Sequence, residues 1–318
     1  MNDKSSSDLN NAKSLFGSEN NPSHVMPAKL SLDSKIKFRC YPGVSCFTAC
    51  CGNINITLTP FDILRLRKRL KLDAPEFIHQ YTSPVFLEKT DMPGVRIKLN
   101  DENRCPFVTP EGCTVYESRP TTCRYYPVGM ANFHERPEDD QEKANDQQFF
   151  FLIKEPHCKG HEESKEWTIG EWRKDQGVDI CDEMNKDWMA LVMRRKSFGP
   201  QASLSEKAQR MFFMTSTDLD HFRRFVFESS FLETYKVDQE ELDKIREDDV
   251  ALMQFSFRYL ASSLFGTQDL EIKNEKVQAK AEEIKKKQSE VEGNADSTYD
   301  ELKALRDNML ADLNKNKK

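Results

Sequence analysis

Four of the nine cysteines in this 318-residue chain fall within the run CYPGVSCFTACC, at Cys40, Cys46, Cys50 and Cys51. A second group follows at Cys105 in RCPFV, Cys113 in EGCTVY and Cys123 in RPTTCRYYP. Cys158 sits in PHCKGH, and Cys181 lies apart. Thiols at this density cross-link a small secreted domain, bind a metal or do redox chemistry. The N-terminal MNDKSSSDLNNAKSLFG lacks a basic run followed by an apolar one, so no secretory signal is read. No stretch is apolar for the roughly 18 residues that a membrane span needs. A cytoplasmic, reducing compartment is the expectation, and disulfides do not persist there. Metal binding is the reading that remains, with scattered packing cysteines as the alternative.

The spacing leaves the metal open. A structural zinc takes four ligands tetrahedrally, often with two to four residues between paired ligands, and Cys46 and Cys50 have that spacing. Adjacent Cys50 and Cys51 suit one small ion poorly, because neighbouring side chains diverge; they could serve two sites. Iron–sulfur clusters are larger and accept thiolates from more varied directions. The eight cysteines before residue 160 would suffice for two four-thiolate sites. Cys105 is followed by Pro106, as some ferredoxin ligands are, yet the spacing matches neither common ferredoxin pattern. The expected ligands are Cys40, Cys46, Cys50, Cys51, Cys105, Cys113, Cys123 and Cys158, with Cys181 a buried small apolar residue.

Arg39, Arg104, Arg119 and Arg124 lie next to or near cysteines. Guanidinium groups there would offset thiolate charge and hydrogen-bond the sulfurs, and Arg119 and Arg124 are the two expected to do so. His79, His134, His157 and His161 could add ligands; none is included, and His157, beside Cys158, is the first candidate. No residue is assigned a catalytic role.

Short elements must carry these residues. Ile36 and Phe38 alternate with basic residues as a strand leading to Cys40. Thr59, Pro60 and Asp62 open a helix, and Asp73, Pro75 and Glu76 open a second. Val95–Leu99 reads as a strand. Cys105–Val108 and Cys113–Tyr116 read as a hairpin across the turn TPEG, which brings two thiols together. Phe149–Ile153 is a strand returning toward Cys158.

After residue 165 the pattern turns helical, with helices predicted near 169–175, 180–196, 204–213, 218–233 and 239–264. Thr168 and Glu171 cap the first, Asp238 and Glu241 the last, and Gly266 suits its end. Many of the 21 phenylalanines fall between Phe149 and Phe265, which predicts an aromatic helical core. The fold class is therefore α+β, a small cysteine-rich domain of short strands and helices followed by a mainly helical extension. Its expected parts are a disordered lead over 1–34, the metal domain over 35–165, the helical extension over 166–268 and a charged helical or disordered tail over 269–318. A net charge of −6 gives no basic footprint for nucleic acid. A protein partner is expected on the helical extension.

Cys40-x5-Cys46-x3-Cys50-Cys51-Gly52, the helix opening ITLTPFDILRL, the block from Cys105-Pro-Phe through Gly112-Cys113-Thr-Val-Tyr-Glu-Ser-Arg119-Pro-Thr-Thr-Cys123-Arg124-Tyr-Tyr-Pro127, and Cys158-Lys-Gly160 together resemble the YkgJ-type cysteine-cluster family, the zinc- or iron-chelating CxxCxxCC domain. The resemblance spans about residues 36–165. It implies a module that chelates an iron–sulfur cluster or zinc. A related branch resembles the flagellin lysine N-methylases, which implies methyl transfer from S-adenosylmethionine to protein lysine as an alternative. This chain has neither a Gly-rich strand-to-helix turn nor the Cys-x3-Cys-x2-Cys of a radical enzyme. A third reading is a non-catalytic interaction protein with a structural metal.

Overall fold

The structure, a computed structural model, describes residues 29–88, 90–135, 145–199 and 203–273, with the side chains of 132–135 and 145–147 outside that description. Its strands form antiparallel pairs and its helices dominate the C-terminal half, an α+β arrangement. Most of the expected lead and of the charged tail lies outside the described residues. Leu30 already exchanges backbone hydrogen bonds of 2.8 and 2.9 Å with Phe150, so ordered chain begins before residue 35.

Strand β1 (Lys35–Lys37) pairs with the distant β8 (Glu166–Thr168), setting Ile36 opposite Trp167. Helix α1 (Pro60–Leu70) starts where the sequence predicts: the Thr59 hydroxyl accepts from the Asp62 amide and the Asp62 carboxylate accepts from the Thr59 amide. Asp73 and Glu76 do the same for α2 (Ala74–Tyr81). A hairpin follows, β2 (Thr82–Phe86) with β3 (Pro93–Ile97). The sequence reveals β3, two residues out of register, and hides β2, because Pro84 cannot donate to a ladder. The expected cysteine hairpin forms in shorter strands, β4 (Val108–Thr109) and β5 (Gly112–Cys113), so Val108 rather than Cys105 stands opposite Cys113. Helix α3 (Thr121–Tyr125) carries Cys123, and the hairpin of β6 (Val128–Glu135) and β7 (Asn145–Leu152) returns the chain toward Cys158.

The helical half begins with α4 (Ile169–Gln176), held at its start by the predicted Thr168–Glu171 box. It ends at Gly177, whose φ of 64° needs glycine and whose added Cβ would stand 3.3 Å from Arg124 Nη1. Then come α5 (Val178–Ser197), α6 (Glu206–Thr217), α7 (Leu219–Glu228), α8 (Phe231–Thr234), α9 (Gln239–Glu247) and α10 (Asp249–Phe265). The helices predicted over 218–233 and 239–264 are thus each two. Asp248 breaks the second by accepting from the Val250 and Ala251 amides, whereas Asp238 makes no side-chain cap. Gly266 ends α10 as expected. Beyond it β9 (Tyr235–Lys236) pairs with β10 (Glu271–Ile272), and Leu270 is buried, so the first residues of the predicted tail are folded.

Three apolar clusters fill the interior. The largest joins Phe212, Phe222, Phe231, Phe255 and Phe257 of the helical half to Phe61, Leu64, Leu87 and Met92. The second holds Ile63, Leu66, Phe77, Val95, Ile97, Cys105, Phe107 and Val115. The third holds Ile36, Phe38, Val128, Phe150, Ile169 and Trp172. Helix α1 therefore gives Phe61 and Leu64 to the helical core and Ile63 and Leu66 to the cysteine side. Ion pairs cross the same seam: Arg67 to Asp220 at 3.4 Å and Asp249 at 2.9 Å, and Arg195 to Asp91 at 2.7 Å.

Candidate metal centre

Cys50 and Cys51 end a 3₁₀ turn (Ala49–Cys51) that follows Thr48, a residue in the left-handed region at φ 66°. The Cys51 carbonyl accepts from the Cys105 amide at 2.8 Å, and Gly52 bridges Arg104. Cys51, Cys113 and Cys123 all pack against the apolar cluster that contains Cys105. On the other side, the Cys46 sulfur accepts the Lys159 amide at 3.1 Å. Cys158 precedes the 3₁₀ turn Lys159–Glu162 and packs on the Phe38 cluster. The Arg39 amide, next to Cys40, donates to the Gly160 carbonyl at 3.0 Å. Glycine is required at that approach, since a Cβ on Gly160 would stand 2.7 Å from the Phe38 ring.

All nine cysteines are free. Burial pushes the Cys40 thiol up to about 11, helped by repulsion from Cys50, Cys46 and Cys158. Burial pushes Cys123 up to about 12, with Cys105, Asp62, Cys113 and Cys50 adding to it. Cys50 is raised further still, first by its hydrogen bond with Cys51 and then by burial. Burial also raises Cys105, Cys113 and Cys158, but here the backbone opposes it. The amides of Phe107, Val115 and Gly160, each two residues beyond the sulfur, pull the thiols back down. An N–H aimed at a sulfur favours the thiolate over the thiol.

This donor set fits a soft metal. Thiolates are the ligands of zinc and of iron–sulfur clusters, and a cation would offset the burial, and with it the mutual repulsion, that raises these thiols. Among the described residues, no three His, Cys, Asp or Glu side chains stand as a group that could hold an ion.

Residues 39–159 match the family model described as "Putative zinc- or iron-chelating domain", CxxCxxCC. Over this segment the chain is similar to the CxxCxxCC domain. The segment contains Cys40 through Cys158 and leaves out Cys181 and helices α4 to α10. No curated protein and no solved structure matches the chain.

Within this segment the arginines divide. Arg104 lies beside the sulfurs: its charge acts on Cys105, and its guanidinium donates to the Thr48 carbonyl at 3.1 Å, clasping the turn before Cys50. Arg119 reaches Cys113 by charge, but its hydrogen bonds go to the Tyr116 carbonyl at 2.7 Å and to Gln176 Oε1. Arg124 donates to the carbonyls of Arg119, Glu117 and Gln176, tying α3 to the end of α4, and the thiol its charge meets is Cys181. The side chain of His134 lies outside the described residues, and His79 is exposed on α2. His161 faces the Ile153 carbonyl at 3.0 Å and His157 lies 3.5 Å from Glu155.

Two residues of the site escaped the sequence reading. The Tyr126 hydroxyl is buried without a well-formed hydrogen bond and faces Cys158, whose thiol it pulls down. Its place in the Cys-Arg-Tyr-Tyr-Pro block was the available signal. Asp62 is fully buried and accepts from the Thr121 amide at 2.8 Å and the Thr121 hydroxyl at 2.7 Å, so the helix cap also fixes the start of α3 below Cys123. Cys181 is buried on α5, with Arg65 Nη1 3.6 Å from its sulfur.

Proposed function

We propose that the CxxCxxCC domain holds zinc or an iron–sulfur cluster through the thiolates of Cys40, Cys46, Cys50, Cys51, Cys105, Cys113, Cys123 and Cys158. The observation that carries this is the set of backbone amides turned on Cys105, Cys113 and Cys158, which offset part of the burial that still holds these thiols above their usual range. When bound, the metal neutralises the thiolates and ties the loop of Cys40–Cys51 to the later segments. Arg104 and Tyr126 are the side chains placed to support those sulfurs. Anaerobic purification of the full chain, with metal analysis and an absorption spectrum, tests the proposal. Iron with sulfur-to-iron charge-transfer absorption selects the cluster, and a colourless zinc-loaded protein selects zinc. A folded protein carrying neither overturns it.

Methyl transfer gains no support: the strand pairs among the described residues are all antiparallel, so none belongs to a β–α–β nucleotide-binding unit. No helix among the described residues is long and apolar enough to cross a membrane. The chain works in the cytoplasm on this reading, and recovery of a tagged chain in another compartment would refute that. The residues from 166 onward act as a scaffold and partner surface. Ile180, Met189 and Met193 expose apolar side chains on α5, and a photoreactive group at position 193 that captures no protein in cells would count against that surface.

A further inference from the structure

We propose that the exposed apolar face at the end of α5 is covered by the chain's own C-terminal segment, residues 299–313, lying antiparallel to α5. This deepens the partner surface proposed above, on which it rests, by naming what occupies that face before a partner displaces it.

The face is built from two helix ends. Met189 and Met193 stand one turn apart on α5 with 44% and 40% of their surface exposed, and Phe198, just past the helix, is 53% exposed. Phe198 stacks on Phe265, the last residue of α10, with ring centroids 5.9 Å apart. The Arg194 guanidinium lies 4.8 Å from the centre of the Phe265 ring and donates to the Phe265 carbonyl at 3.4 Å. The charges of α5 sort along its length. Asp179, Glu183 and Asp187 stand against Lys186 in its earlier part, whereas Arg194 and Lys196 lie in its last turn.

The segment that fits this face is marked in the sequence. Residues 274–298 carry Val277, Ile284 and Val291 as their only large apolar side chains. Thr298 with Glu301 then has the spacing of a capping box, and Tyr299, Leu302, Leu305, Met309 and Leu313 follow at helical spacing on one side. As a helix, this stripe is about 22 Å long, the length of α5 from Glu183 to Ser197. Asp300 and Glu301 stand at its start, and Lys315, Lys317 and Lys318 lie just past its end. Laid antiparallel, the acidic start meets Arg194 and Lys196 and the basic end meets Asp179 and Glu183. A parallel arrangement sets like charges together.

The point of departure agrees with that direction. The Leu270 amide donates to the Ser262 hydroxyl at 3.1 Å, which holds the outgoing chain against the last turn of α10, where Phe265 meets Phe198. A coil the length of residues 274–298 spans about 25–30 Å, enough to bring residue 299 to the end of α5. Such a tether also holds the segment near its own face at a millimolar effective concentration, which favours it over the segment of a second copy.

The test places photoreactive p-benzoylphenylalanine at position 193 of the full chain, purified and irradiated at low micromolar concentration. The monomer should carry a crosslink from position 193 to a peptide within residues 299–313. Leu305→Asp with Met309→Asp should abolish that crosslink. Arg194→Glu with Lys196→Glu should weaken it several-fold, and Asp300→Lys with Glu301→Lys added should restore it, which fixes the antiparallel direction. Should the group at position 193 prevent folding, the same group at position 189 takes its place. A crosslink to a second copy, a crosslink to residues outside 299–313, or none in the folded monomer overturns the proposal. If the self-crosslink is absent but the group captures another protein in cells, the covering segment is refuted and the partner surface stands. If the self-crosslink forms, and a chain cut after Lys273 still captures nothing in cells, the partner surface is refuted and the covering segment stands.

Discussion

The helical half and the cysteine half of this chain hold themselves together by different means. In the helical half, Phe212, Phe222, Phe255, Phe257, Leu252 and Met253 are almost wholly buried in one continuous cluster. Fully burying such a side chain contributes about 1.5–3 kcal/mol, and Phe61, Leu64, Leu87 and Met92 of the other half join the same cluster. The cysteine half divides its apolar residues between two smaller clusters, and its β4–β5 and β1–β8 pairs are only two and three residues long. Beside them lie Cys105, which is buried, and the half-buried Cys46, Cys50, Cys51, Cys113, Cys123 and Cys158. Where the helical half spends sequence on phenylalanine, the cysteine half spends it on cysteine, and on the function proposed above its stability is conditional on what those thiols bind.

That contrast can be broken in order of expected effect. Metal removal should act most strongly, because a thiolate-bound structural metal contributes on the order of 10 kcal/mol that only the folded chain receives. Hydrogen exchange after chelation should show protection lost over residues 44–58 and 105–123 and retained in α5, α6 and α10. Loss spread evenly over both halves would erase the distinction. Phe222→Ala should cost about 3–5 kcal/mol in urea unfolding through the cavity it leaves, while metal per folded chain stays constant. A parallel loss of metal would show that the helical core shapes the metal domain directly.

Asp91→Asn probes the seam and should cost about 3 kcal/mol, since it strips a buried arginine of its charged partner. Partial burial raises the Asp91 carboxyl, but Arg195 and the Leu204 amide outweigh it and hold the carboxyl below its usual range. Its stabilisation is then complete above the ordinary carboxylate value near pH ~4 and is lost as pH falls through the lower folded value. Thermal midpoints of wild type and variant should differ at pH 7 and converge in acid; a gap that persists would assign the effect to packing instead of charge. Cys181→Ser should have the smallest effect, about 1–2 kcal/mol, with metal content unchanged. Metal loss in that variant would place Cys181 within the metal site.

Much of this was legible where the signal is local. Thr59 with Asp62, Asp73 with Glu76, and Thr168 with Glu171 each declare a helix start within four residues, and each forms the reciprocal bonds expected of it. The cysteine spacing carried the family. The β6–β7 hairpin was half hidden, because the run from Val128 gave no strand signal to match Phe149–Ile153. The break at Asp248 was invisible in apolar periodicity, which continues through it. Arg119 and Arg124 show the limit most sharply. Their nearness to cysteines in sequence suggested sulfur partners, yet both turn to Gln176, a contact that no local pattern encodes.

The pairing of β1 with β8 also sets a schedule for synthesis. Ile36 leaves the ribosome early, but Trp167, its partner across the strand pair, follows only after the whole cysteine segment has been made. At about 5–20 residues per second, that interval is on the order of ten seconds. Throughout it Cys40, Cys46, Cys50 and Cys51 have neither Cys158 nor the closing strand in place. Until the clasp shuts, these thiols lack the neighbours that the β1–β8 pairing brings to them.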